Sequence, residues 1–64
     1  MKLRIEDLEF ETTPVRKGLF SYRVRRGDGD WVQSREPIHG RASSADAKKA
    51  MLHSGRLDLQ ASTA

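Results

Sequence analysis

The sequence predicts a small α+β domain, a three-stranded antiparallel sheet packed against one C-terminal helix in the order β-β-β-α. Three observations carry that prediction. Residues 19–26, LFSYRVRR, alternate cleanly, with Phe20, Tyr22 and Val24 on one side and Ser21, Arg23 and Arg25 on the other. A Gly-Asp-Gly turn follows and leads into WVQSRE, a partner strand limited by Pro37. Beyond it, SSADAKKAMLHSG places Ala47, Ala50 and Met51 at helical spacing behind a serine.

The elements are justified in chain order. In KLRIEDLEFET, Leu3 and Ile5 share one alternating phase and Leu8 and Phe10 another, so the phase slips at Glu6-Asp7. A slip of this kind marks a bulge or a turn between two short strands. A helix is the rival reading of residues 3–12, because Ile5 and Leu8 are three apart, but Pro14 would end it quickly. Residues 13–18, TPVRKG, read as a basic loop, and residues 37–42, PIHGRA, as a connection to the helix. Ser43 and Asp46 have capping-box spacing, which puts a carboxylate beside the exposed first-turn N–H groups. Gly55 reads as the C-terminal stop, with His53 and Arg56 at the negative end of the helix dipole. The domain would thus occupy residues 1–55, and residues 56–64 a tail with a short strand through Leu57 and Leu59 before disorder.

Register decides which way Trp31 points. A two-residue Asp28-Gly29 turn would set Val24 opposite Gln33 and mix apolar and polar side chains on both faces. A three-residue Gly27-Asp28-Gly29 loop, with Gly29 left-handed, pairs Arg26 with Asp30, Val24 with Val32, Tyr22 with Ser34 and Arg25 with Trp31. The second register is preferred, because opposed residues in a sheet share a face. It gathers Arg23, Arg25, Trp31, Gln33 and Arg35 on the face away from the helix. Guanidinium forks take phosphates or guanine edges, glutamine addresses adenine, and tryptophan packs on base or sugar. A cross-strand stack of Arg25 on Trp31 explains the same residues without any partner.

Composition narrows the rest. A chain of 64 residues makes one domain. At that size it buries only about 60% of its unfolded surface. Cysteine is absent, so neither a disulfide nor a thiolate metal site staples the fold, which fits a cytoplasmic protein. No apolar run suits a membrane span, and Glu6, Asp7 and Glu9 interrupt any signal-peptide pattern at the N-terminus. The net charge of +3 is uneven, with acids gathered at Glu6, Asp7, Glu9 and Glu11 and arginines through the middle. His39 and His53 lack metal-site spacing, GDGD lacks the other ligands of a calcium loop, and Ser43 and Ser44 are explained by capping. No catalysis and no cofactor are expected.

YRVRRGDGDW followed by SSADAKKAM resembles the arm-site DNA-binding domains of phage and transposon tyrosine integrases over about residues 20–52. Those domains pair a three-stranded sheet with one helix and set the sheet into the major groove. The resemblance implies that Arg23, Arg25, Trp31 and Arg35 are the sheet residues facing DNA. The chain departs from the pattern in its acidic first segment and in having Ile38 and His39 where an aromatic precedes the helix. Through GRASSADAKKA the chain is also similar to the last strands and helix of double-stranded-RNA-binding domains, without their first helix and with Lys48-Lys49 inside the helix rather than at its start. The expected function is a nucleic-acid-binding accessory protein, with DNA preferred over RNA. The alternative is a protein-interaction or inhibitor module, such as a small phage-type regulator of a host protein. Homodimerisation through the first strand or the open sheet is a third arrangement. No membrane partner is expected.

Overall fold

Alternation builds the sheet. The computed structural model describes residues 1–62, so Thr63 and Ala64, the end of the expected tail, lie outside it. The phase slip at Glu6-Asp7 is a tight turn between β1 (Lys2–Ile5) and β2 (Leu8–Arg16), and the register closes it with Ile5 opposite Leu8. Glu6 takes a left-handed φ of 56° there, a conformation that glycine adopts more cheaply. The first segment therefore contributes two strands. An antiparallel sheet packs against one C-terminal helix, and the sheet has five strands where three were expected.

β2 runs on through Pro14, where the sequence suggested a loop. The N–H of Thr12 donates to the Met1 carbonyl at 2.8 Å. Two residues further, the same side of β2 has no neighbouring strand among the described residues, so the N–H that Pro14 lacks forfeits no ladder bond. The ladder to β3 (Leu19–Arg26) shifts register between Pro14 and Arg16.

The last part of the sheet is broken. β4 (Val32–Gln33) and β5 (Ile38–His39) lie along the same edge of β3, β4 opposite Arg23 and Val24 and β5 opposite Leu19 and Phe20. Val24 pairs with Val32, and Ser34 N–H donates to the Tyr22 carbonyl at 2.8 Å, so the three-residue register holds. The left-handed glycine is Gly27 (φ 57°), not Gly29, whose N–H closes the turn onto the Arg26 carbonyl at 3.0 Å.

α1 (Ala45–Ser62) crosses the sheet and runs through Gly55 without stopping. Ser44 is its cap, with Oγ accepting from the Ala47 N–H at 3.1 Å, in place of the expected Ser43. Gly55 has an ordinary helical φ, so it is no left-handed terminus. A Cβ added to it would lie 2.8 Å from Phe10 Cε2 and 2.9 Å from Phe10 Cζ, so glycine lets the helix settle against the sheet. Residues 56–62 are accordingly helix, where a tail with a strand through Leu57 and Leu59 was expected. Ala47, Met51, Gly55 and Asp58 form the buried stripe. They cover Leu8, Phe10, Phe20, Tyr22 and Val24, with Phe10 and Tyr22 edge to face at 5.6 Å between centroids. Leu3, Ile5, Val32, Ile38 and Leu59 close the rim of this core.

Candidate nucleic-acid interface

The pleat that buries Phe10, Tyr22 and Val24 turns Glu9, Glu11, Arg23 and Arg25 outward. No described element covers that outer face. Its rows follow the register: Lys2, Glu11, Arg23 and Gln33 in one, Arg4, Glu9 and Arg25 in the next. Charge thus alternates in sign across the strands. Arg23 Nη2 lies 2.6 Å from Glu11 Oε1, and Lys2 Nζ lies 3.9 Å from Glu11 Oε2. Arg25 closes on Glu9 Oε1 with both Nε (3.1 Å) and Nη2 (3.0 Å).

Trp31 joins the same face and is half-buried there. The guanidinium carbons of Arg23 and Arg25 each lie 4.6 Å from its ring centroid. Such stacking is worth about 0.5–1 kcal/mol per pair at an exposed site. Its larger consequence is order: each arginine is held by a carboxylate on β2 and by the indole on the hairpin. Gln33 completes the group, donating from Nε2 to the Tyr22 carbonyl at 3.2 Å while its side chain stays exposed.

Of the residues grouped by the sequence, Arg23, Arg25, Trp31 and Gln33 come together and Arg35 does not. β4 ends at Gln33, and the chain bends at residues 35 and 36, so alternation no longer governs Arg35. Its Nε instead lies 3.9 Å from Oδ1 of Asp58 on the helix. Asp58, placed by the sequence in a tail, is only 6% exposed and accepts the Tyr22 hydroxyl at 2.7 Å. Burial, and then the hydrogen bond and charge of Asp58, push the pKa of that hydroxyl well above its ordinary value, with Ser54 opposing. This Tyr22–Asp58–Arg35 cluster fastens the helix to the sheet. No signal short of knowing that the helix passes Gly55 would have found it.

The ion pairs also sort the cations. Six of the twelve lysines and arginines are engaged: Lys2, Arg23, Arg25, Arg26, Arg35 and Arg56. Arg26 pairs with Asp7 and Arg56 with Glu6, so the β1–β2 turn is tied to β3 and to the helix. Arg4, Arg16, Lys17, Arg41, Lys48 and Lys49 are exposed and have no ion pair among the described residues. No group of three or more His, Asp or Glu is arranged to hold a metal among those residues, and no helix is long and apolar enough to cross a membrane.

The chain matches no protein-family model, no curated protein and no solved structure.

Proposed function

We propose that this is a nucleic-acid-binding accessory protein, working in the cytoplasm and gripping DNA with the open face of its sheet. One observation carries the proposal: an uncovered sheet face holds an indole with two guanidinium groups stacked at 4.6 Å, beside an exposed glutamine. An open, pre-ordered sheet face suits base or sugar contact, and its arginine edges suit phosphate or guanine. Arg23, Arg25, Trp31 and Gln33 are its contact residues, and the resemblance to integrase arm-site domains points the same way. Arg35 contributes only from the margin, since its side chain turns toward Asp58.

The test is titration of a labelled duplex at two salt concentrations. Binding at low salt that weakens with salt, and that Arg23→Ala with Arg25→Ala reduces, supports the proposal. Absence of binding at low salt, or indifference to those substitutions, would sink it.

A specific observation favours a second function. Glu9 and Glu11 already neutralise Arg25 and Arg23, leaving a face of alternating charge around a tryptophan. Tryptophan and arginine are the side chains enriched at protein hot spots. The face would then dock on a protein, as in a small inhibitor of a host enzyme, and Trp31→Ala would abolish a stoichiometric complex while duplex binding stayed absent.

A further inference from the structure

We infer that a second part of the nucleic-acid surface lies at the β2–β3 end of the molecule, where Arg16 and Arg41 hold the phosphodiester backbone of the strand that meets Trp31. The inference rests on the proposed nucleic-acid function and adds a site to it. Phosphate affinity comes from cations that are free to release counterions. Of those on the sheet face, Lys2, Arg23 and Arg25 are already partnered by Glu9 and Glu11, which leaves only Arg4 without an ion pair there among the described residues. The cations without ion pairs include Arg16, Lys17 and Arg41. Arg16 and Arg41 rim one groove of about 310 Å³, with Thr12, Pro14, Leu19 and Phe20 in its wall, and no carboxylate lines it.

The groove is built, not merely crowded with charge. Gly18 (φ 78°) and Gly40 (φ 105°) turn the chain sharply beside Arg16 and Arg41, and the Gly40 N–H donates to the Gly18 carbonyl at 2.8 Å. The two cationic turns are thereby fixed to each other across the end of the sheet. A Cβ at either glycine would meet nothing within 4 Å, so the space outside them is open to a ligand.

The register connects this end to the indole. Arg16 pairs with Leu19, and the outward positions of β3 run Leu19, Ser21, Arg23, Arg25. At about 3.3 Å per residue those positions span roughly 20 Å. That is about six nucleotide rises along one strand of a duplex, at 3.4 Å each. Thr12, Pro14 and Phe20 carry the core-facing phase, so the groove opens toward the helix side of this end. A DNA strand that meets Trp31 on the outer face reaches it by passing around the Leu19 end of β3, with phosphates at the glycine turns.

The experiment is a titration of uniformly ¹⁵N-labelled protein with a ten-nucleotide single-stranded DNA, repeated with Arg16→Gln plus Arg41→Gln. The Gly18, Gly40 and Ser43 amides are expected to shift together with the Trp31 indole N–H. The double variant, altered only at exposed side chains without ion pairs, should keep the wild-type spectrum. Its plot of log affinity against log salt should flatten by about 1.4, the contribution of two phosphates on a single strand. Groove amides that move while Trp31 stays still would support the groove and remove the sheet face. Movement of Trp31 alone, with an unchanged salt slope in the double variant, would overturn the inference and leave the proposed function standing. Silence at both places would overturn the inference, and silence together with no duplex binding at low salt would overturn the proposed function as well.

Discussion

Tyr22 is the only tyrosine, and its hydroxyl sits 2.7 Å from a buried carboxylate. Burial and Asp58 raise its pKa above the ordinary tyrosine value of 10.0. The linkage has a definite sign. Below pH 10 the hydroxyl is protonated in both folded and unfolded chains, and its contribution to stability is intact. As the pH climbs above 10, the unfolded chain loses the proton first, and stability falls by up to about 1.4 kcal/mol per pH unit. Tyr22→Phe should remove that alkaline loss and should cost about 1–3 kcal/mol at pH 7, because the buried Asp58 carboxylate loses its donor. Urea unfolding of both proteins between pH 7 and 11 checks the pair of effects, and an identical alkaline slope in the variant would contradict them. Gly55 poses a different balance. Alanine there gains about 1 kcal/mol of helix propensity. Its Cβ, however, would press on the Phe10 ring, which is 1% exposed and braced against Tyr22. Overpacking of a core costs about 1–3 kcal/mol. A net loss of about 1 kcal/mol is expected for Gly55→Ala in urea unfolding, and a larger one for Gly55→Val; a stabilised alanine variant would show that the helix can lift away.

At the scale of elements, the helix start makes a clean comparison, because two adjacent serines precede it and only Ser44 accepts the Ala47 N–H. Ser44→Ala should cost about 1 kcal/mol and Ser43→Ala close to nothing, read as the two midpoints of thermal or urea unfolding. Equal losses would mean that the cap moves between them. This pair also shows which features a sequence exposes. The β3–β4 register was legible from Val24, Val32, Tyr22 and Ser34, because the pleat forbids a one-residue slip without exchanging faces. The break at Glu6-Asp7 was legible for the same reason. What the chain hides is any residue whose role depends on a distant partner. Gly55 has the composition of a helix stop and serves as the seat for Phe10. Pro14 looks like a strand end and is tolerated because β1 does not reach past Thr12. Arg35 lies in phase with Trp31 and Gln33 in the sequence, but the bend after a two-residue strand hands it to Asp58. The candidate face was therefore readable where a ladder enforces alternation, and it was lost one residue beyond the ladder.

At the scale of the whole molecule, charge separates the two functions. The net charge of +3 conceals a division between cations locked to the acidic β2 strand and cations left free. Glu9 and Glu11 do two things at once: they orient Arg25 and Arg23 against Trp31, and they screen them from any incoming anion. Replacing Glu9→Gln together with Glu11→Gln removes two negative charges and takes the net charge from +3 to +5. The stability cost should be modest, about 0.2–1 kcal/mol for each cross-strand pair, because these groups are partly solvated. Nucleic-acid binding responds in the opposite direction to stability. With Arg23 and Arg25 released, duplex affinity at low salt should rise, and the plot of log affinity against log salt should steepen by about 1.8, two further phosphates at about 0.9 each on B-form DNA. A protein-docking face behaves otherwise, since loss of the carboxylates frees the stacked arginines to wander and removes half of the charge pattern that a partner would match. The measurement is a fluorescence-anisotropy titration of one labelled duplex at several salt concentrations, with wild type and double variant side by side. Tighter and more salt-sensitive binding by the variant assigns the sheet face to nucleic acid, whereas an unchanged or flatter salt dependence withdraws Arg23 and Arg25 from phosphate contact and leaves the face to a protein partner.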